Sequence, residues 1–246
     1  MLLKKLILAG FALSLAVAVS AEGADSGIAA DPKTGADLKT VVATVEGGYR
    51  QMRDMQAQFS QKTTIAALKR DEKGNGELLM RRSEGNATMF RFDYKKPKQQ
   101  IVSDGKQVWF YIPENRQVMV SDVKTMLAQG GVALNYLTGL GNVSRDFNIS
   151  FSGNGRDAKG NYLIELVPKK PGQAFAKLQL TVAAASVDKY RKNGEAEDSF
   201  PILASVVVDQ MGNRTAVDYS KIKVNQGIPA GRFTFKIPSG VEVLKQ

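Results

Sequence analysis

The sequence predicts a mainly β chain of the α+β class: a single curved antiparallel sheet forming an incomplete, half-open barrel closed by a helical lid. Three observations predict it. Beyond residue 76 the chain reads as about ten short, alternating apolar runs, joined by connections too short for parallel crossovers. One amphipathic helical pattern precedes these runs and a second interrupts them. The apolar stripes of those helices have nowhere to go except the concave side of a bent sheet.

The N-terminus has Lys4 and Lys5, an apolar run from Leu6 to Val19, and the small residues Val19-Ser20-Ala21. This is the pattern of a secretory signal peptide over residues 1–21, cleaved after Ala21. The run is about 14 residues, short of the roughly 20 that span a bilayer. Residues 22–36 are small and polar and read as a disordered leader. Residues 37–246 show neither repeat nor linker and are expected to form one domain.

Leu38, Val41, Val42, Val45, Tyr49, Met52, Met55 and Phe59 recur at spacings of three and four, predicting a helix that runs out near Phe59-Ser60-Gln61. Gly47-Gly48 inside it costs about 1 kcal/mol per glycine and predicts a bend. Strands are expected at Gly76–Arg82 and Met89–Tyr94, with Phe90, Phe92 and Tyr94 on one face. Lys95-Lys96-Pro97-Lys98 makes the next turn. A hairpin follows about Asp104-Gly105, and its second run, Val108–Ile112, is apolar on both faces. After Gln117–Val120, Ser121-Asp122 reads as a helix N-cap before Val123–Gln129. Gly130-Gly131 breaks that piece and Val132–Leu140 resumes it. Strands return at Phe147–Phe151, Tyr162–Pro168, Lys177–Val182, Ile202–Asp209, Ala216–Val224 and Arg232–Ile237. Asp188–Asp198 reads as a charged, mobile loop.

Composition narrows the chemistry. The chain contains neither cysteine nor histidine, which removes disulfides, thiolate chemistry and the commonest general base and metal ligand. No cluster of carboxylates has metal-ligand spacing, and the glycine-rich pieces Gly74-Asn75-Gly76 and Gly139-Leu140-Gly141 lack the context of a phosphate loop. An enzyme is not expected, nor any cofactor or metal. The formal charge of +10 suggests acidic lipid headgroups or acidic partners. The basic residues lack the aromatic interleaving of a nucleic-acid platform, so nucleic acid is not expected. Adaptable apolar surface remains: Met52 and Met55 on the first helix, and Met126, Leu127, Leu134 and Leu137 on the inserted one. These residues either form an ordinary core or part to admit an acyl chain. Arg82 shares a strand face with Leu78 and Met80. It is either a solvated strand end or a guanidinium that finds acceptors at the end of a lid helix.

At these residues the chain resembles the periplasmic outer-membrane lipoprotein carrier family, LolA. The likeness lies in Phe59-Ser60-Gln61-Lys62, in Gly74-x-Gly76-x-Leu78 leading to Arg81-Arg82, and in Phe90-Arg91-Phe92-x-Tyr94-x-x-Pro97. It continues through Ile101-Val102-Ser103-Asp104-Gly105-Lys106, Trp109-Phe110-Tyr111-x-Pro113 and Phe233-x-Phe235-x-Ile237-Pro238-x-Gly240-Val241-x-Val243. The resemblance implies a periplasmic chaperone that binds acyl chains of lipoproteins from an inner-membrane releasing transporter and hands them to an outer-membrane acceptor. It implies a monomer. It implies an acyl-chain cavity, assigned to Met80, Phe90, Phe92, Tyr94, Val108, Phe110, Met52, Met126, Leu127 and Leu137, and a lid latch at Arg82. Ser83 follows that arginine where the family usually has proline. On this reading Val108, Phe110 and Ile112 face the cavity, while Trp109 and Tyr111 face a wet convex surface. Two other readings share the sequence features: a periplasmic lipid-binding sensor regulating a membrane signalling partner, and a polyanion-binding module.

Overall fold

The computed structural model describes residues 37–82, 88–123, 125, 142–170 and 175–245. Its centre is one sheet of 12 strands. In chain order these are β1 (Asp54–Ile65), β2 (Arg70–Arg82), β3 (Thr88–Lys96), β4 (Gln99–Ser103), β5 (Gln107–Ile112), β6 (Gln117–Asp122), β7 (Phe147–Arg156), β8 (Tyr162–Pro168), β9 (Phe175–Val182), β10 (Ile202–Asp209), β11 (Arg214–Val224) and β12 (Glu242–Lys245). Across the sheet they run β12-β6-β5-β4-β3-β2-β1-β11-β10-β9-β8-β7. Every neighbouring pair is antiparallel except β12 and β6. Three helices lie among the described residues: α1 (Leu38–Gln51), α2 (Val143–Asp146) and α3 (Ala184–Asn193).

The sheet curves around α1. Val108 on β5 and Ile164 on β8 stand in opposite halves of the strand order, yet both join one buried cluster with Val41, Val45 and Tyr49 of α1. A flat sheet would hold those halves tens of ångströms apart, since neighbouring strands sit about 4.8 Å apart. The edges β7 and β12 do not pair, so the barrel stays open. The chain leaves β6 beside one edge and re-enters at β7, the other. The two helical pieces expected at Val123–Gln129 and Val132–Leu140 fall in this connection and lie outside the described residues, apart from Val123 and Thr125.

The first helix is shorter than its periodicity predicts. Asp37 caps its start, accepting from the backbone N–H and the hydroxyl of Thr40, both at 2.8 Å. It ends at Gln51, and Met52 already has extended backbone. Met55, Ala57 and Phe59 then alternate inward along β1. A spacing of four satisfies both a helix and a strand, so Met55 and Phe59 fit either, and Ala57 is too small to have settled the period. Tertiary bonds decide it: the backbone N–H of Arg53 donates to Asn225 Oδ1 at 2.8 Å, and β1 pairs on both sides.

Gly47 and Gly48 make no break in the helix. A Cβ on Gly48 would stand 2.4 Å from the carbonyl oxygen of Asp198, and one on Gly47 would stand 2.9 Å from Ala196 Cβ. The glycines let another segment cross α1 at backbone contact. That segment follows α3, which takes up Asp188–Asn193 of the stretch expected as a loop at Asp188–Asp198, leaving Gly194–Asp198 without helix or strand. Gly194 closes α3 in the left-handed region at φ 76° and donates to the carbonyl of Tyr190 at 2.8 Å. Asp198 ties the return, accepting from Ser186 Oγ at 2.7 Å and Lys189 Nζ at 2.9 Å.

Two more expectations are corrected. β2 starts at Arg70 rather than Gly76, and its ladder with β1 runs to Ile65↔Arg70. Polar residues at a solvated hairpin end carry no apolar alternation, so they gave no strand signal. Arg232–Ile237 is not a strand. A 3-10 turn at Ala230–Phe233 and an unpaired extended stretch cross the outer face of the sheet before β12 pairs with β6. The alternating Phe233 and Phe235 do point inward, but onto a sheet face rather than within a ladder. The Asp104-Gly105 turn closes β4 on β5 as expected, with Asp104 Oδ1 accepting from the N–H groups of Lys106 and Gln107, both at 2.8 Å.

Candidate functional site

The inner face of the sheet is an apolar wall with α1 lying on it. Leu78 and Met80 of β2, Phe90 and Phe92 of β3 and Val108 of β5 are all buried there. The rings interlock: Phe59 stands edge-on to Phe92 at 5.6 Å and to Tyr94 at 4.8 Å between centroids. From α1 come Val41, Val42, Val45 and Tyr49, with Met52 at the helix end. Each such side chain contributes about 1.5–3 kcal/mol by leaving water. The helix is thus held mainly by non-directional contact.

Of the residues assigned from sequence to the apolar site, Met52, Met80, Phe90, Phe92 and Val108 meet in this one cluster. Tyr94 packs at its margin, its hydroxyl donating to Gln61 Oε1 at 2.8 Å. Phe110 lies opposite Ile101 and Met119 in the ladder, half-buried on the face that Val108 occupies. Met126, Leu127 and Leu137 lie outside the described residues, and so does Leu134.

Arg82 reaches the lid side. Its Nη1 donates to the carbonyl oxygen of Arg50, in the last turn of α1, at 3.2 Å. Its guanidinium carbon lies 5.8 Å from the centroid of the Tyr49 ring. Unpaired carbonyls at a helix C-terminus attract a cation, so the geometry obeys simple helix electrostatics. The acceptor helix is α1.

Arg81 points the other way. Its Nη1 donates to the carbonyl of Ile228 at 2.6 Å, on the outer face. There Ile228 and Phe233 bury themselves against Leu79, with Met89 alongside. Phe235 covers Trp109 and Tyr111, at 6.3 and 5.6 Å between centroids. The two aromatic residues therefore face a protein strap rather than open water. Sequence reasoning missed this strap. It also missed Asp54, buried to 5% exposure, whose carboxylate accepts from the N–H groups of Gln226 at 2.8 Å and Gly227 at 3.0 Å. The available signal was Asn225-Gln226-Gly227, a turn whose Asn225 takes a left-handed φ of 57°.

At the edge of the inner face, between the start of α1 and β7, an open groove of about 250 Å³ has Leu38, Val42, Phe147 and Ile149 as its apolar lining and Lys39 and Lys169 among its polar residues. Glu46 joins α1 to α2 nearby, accepting from the N–H and hydroxyl of Ser144 at 2.8 and 2.7 Å. The site therefore offers shape and apolar area, with few polar groups beyond the bonds that hold α1.

Known proteins share this chain's pattern. The model of the outer membrane lipoprotein carrier protein LolA matches residues 50–193. An outer-membrane lipoprotein carrier protein of Pseudomonas aeruginosa is 26% identical over 215 residues, covering 86% of this chain and 90% of its own. That of Leptothrix cholodnii is 29% identical over 212 residues, covering 85% of this chain and 84% of its own. A solved LolA superfamily protein from Nitrosomonas europaea overlaps 80% of this chain and 97% of its own, with a TM-score of 0.39 and 17% identity, too loose a likeness to add to the fold described above. With more than half of its length matched by the family model, and an open curved sheet carrying a helix on its inner face, the chain belongs to the outer membrane lipoprotein carrier protein family, LolA.

Proposed function

We propose that the chain is a periplasmic carrier whose inner apolar wall takes the acyl chains of lipoproteins in place of the stripe of α1. It receives them from an inner-membrane releasing transporter, delivers them to an outer-membrane acceptor, and works as a monomer without cofactor or catalysis. The observation that carries the reading is an apolar wall covered by α1, with the cationic side chain of Arg82 bonding that helix's C-terminal end.

The energetics favour exchange. An acyl chain gains roughly 0.8 kcal/mol for each methylene it buries, so a few methylenes offset the separation of α1 from part of the wall. The Met52 and Met80 side chains adapt to either occupant. The Arg82 bond adds about 1 kcal/mol to the closed state, given its length and exposure. A latch of that size sets the balance between loading and release without locking either. Met52, Met80, Phe90, Phe92, Tyr94, Val108 and Phe110 are the residues proposed to line the occupied cavity, joined by Met126, Leu127 and Leu137, with Arg82 as the latch.

Mass spectrometry of protein purified from the periplasm tests this. Acylated lipoproteins should co-purify. Free lipid alone would sink the carrier reading and favour a lipid sensor, and no lipid with steep salt-dependent polyanion binding would favour the third reading.

A further inference from the structure

The β1–β2 hairpin reaches beyond its neighbour on one side. Its ladder continues to Ile65↔Arg70, whereas the ladder between β2 and β3 ends at Asn75↔Lys96. On its other side β11 follows it to Thr64↔Arg214, so the β10–β11 turn stands beside the β1–β2 turn. A hydrogen bond from backbone to side chain joins the two turns, with the N–H of Ala66 donating to Asn213 Oδ1 at 3.0 Å. The second turn is built firmly: Asp209 Oδ1 accepts from the N–H groups of Met211 and Asn213, both at 2.9 Å, and Gly212 takes φ 81°.

These paired turns present Leu68 and Met211, 62% and 50% exposed, the two most exposed large apolar side chains among the described residues. Cations surround them. Lys62 and Arg70 are paired with Asp71 and Glu72. Lys69 and Arg214 are exposed and have no ion pair among the described residues, and exposed Lys73 shares the field of Asp71 with Lys62. The Asp209 carboxylate is engaged by its own turn.

We propose that this two-turn tip is a reversible docking point for the anionic surface of a phospholipid bilayer, with Leu68 and Met211 entering the headgroup boundary and Lys69, Lys73 and Arg214 meeting lipid phosphates. The chemistry selects a bilayer over a protein. A stable protein interface needs about 1,000 Å² of matched surface, which two turn tips cannot offer. A bilayer accepts a convex tip with no pocket, and apolar side chains ringed by lysine and arginine suit its interface. The net charge of +10 gives the whole chain the same bias. The tip is separate from the apolar wall, so this inference stands or falls independently of the carrier reading.

Flotation of the processed chain with two kinds of vesicle tests it: phosphatidylcholine alone, and phosphatidylcholine mixed with phosphatidylglycerol. The protein should float only with the anionic vesicles, and salt should release it. The double variant Leu68→Ser/Met211→Ser should lower the partition coefficient about tenfold or more, and Lys69→Gln about fivefold. Val243→Ser, at the exposed edge strand β12, should leave binding unchanged. Thermal melting confirms that each variant stays folded, and its co-purifying lipoprotein, measured separately, should not change. The proposal is overturned if the wild type ignores anionic vesicles, if the tip variants bind as well as wild type, if Val243→Ser loses binding equally, or if the tip proves to bind an acidic protein and no vesicle.

Discussion

The inner face of the sheet carries much the larger apolar cover, and the two faces hold their cover differently. On the inner face α1 rests on a wall of aliphatic and aromatic side chains, and half-buried Arg82 bonds its end at 3.2 Å through an exposed hydrogen bond. On the outer face the C-terminal strap is fixed by Arg81 at 2.6 Å, by two N–H bonds to buried Asp54, by fully buried Phe233 and by the β12 ladder. Arg81 and Arg82 are adjacent in sequence, and strand alternation sends them to opposite faces. The lesson is that apolar area alone does not distinguish a lid from a wall. Directional polar bonds shielded from water do: those of α1 through Glu46 and Arg82 are exposed, whereas the strap's to Arg81 and Asp54 are partly buried.

The comparison breaks most visibly on the strap. Phe233→Ala should cost about 3–5 kcal/mol of stability, read by denaturant unfolding, because it empties a buried site with no acyl chain to refill it. Asp54→Ala should cost about 2–3 kcal/mol, since it leaves the N–H groups of Gln226 and Gly227 without their charged acceptor. Neither variant should weaken lipid retention beyond its effect on the folded fraction.

A pH effect of intermediate size belongs to the segment crossing α1. Burial raises the pKa of Asp198, but hydrogen bonds from Ser186 and Lys189 outweigh it and hold the carboxyl below its ordinary 3.8. A depressed folded-state pKa contributes stability above the unfolded value and loses it as pH falls through the folded one. Hydrogen exchange in residues 184–201 should therefore quicken as pH falls below about 3.8 once corrected for intrinsic rates, and Ser186→Ala should move that onset upward.

The smallest change in stability should come from the latch. Arg82→Leu should cost at most about 1 kcal/mol, while biasing α1 away from the wall and slowing release of lipoprotein several-fold in a transfer assay to the acceptor. Normal loading and release by this variant would remove Arg82 from the mechanism.

The sequence disclosed part of the inner face, because period-two alternation in Phe90-Arg91-Phe92 is a local signal, whereas Leu78-Leu79-Met80 is apolar on both faces. It disclosed the paired arginines as a question of face, which only the register of β2 against β1 and β3 could answer. What stayed hidden was non-local. The end of α1 depends on Asn225, 172 residues beyond Arg53. Gly47 and Gly48 looked like a bend because the segment pressing on them is remote in sequence. Phe233 and Phe235 mimicked a strand because a strap lying across a sheet shows the same alternation as a strand within one.

Hydrogen exchange of the processed chain with and without a synthetic triacylated lipopeptide tests the central claim most directly. Loading should change protection across α1, Leu38–Gln51, while the strap from Ile228 to Lys245 keeps its rates. Unchanged exchange in α1 on loading, or a response confined to the strap, would contradict the account.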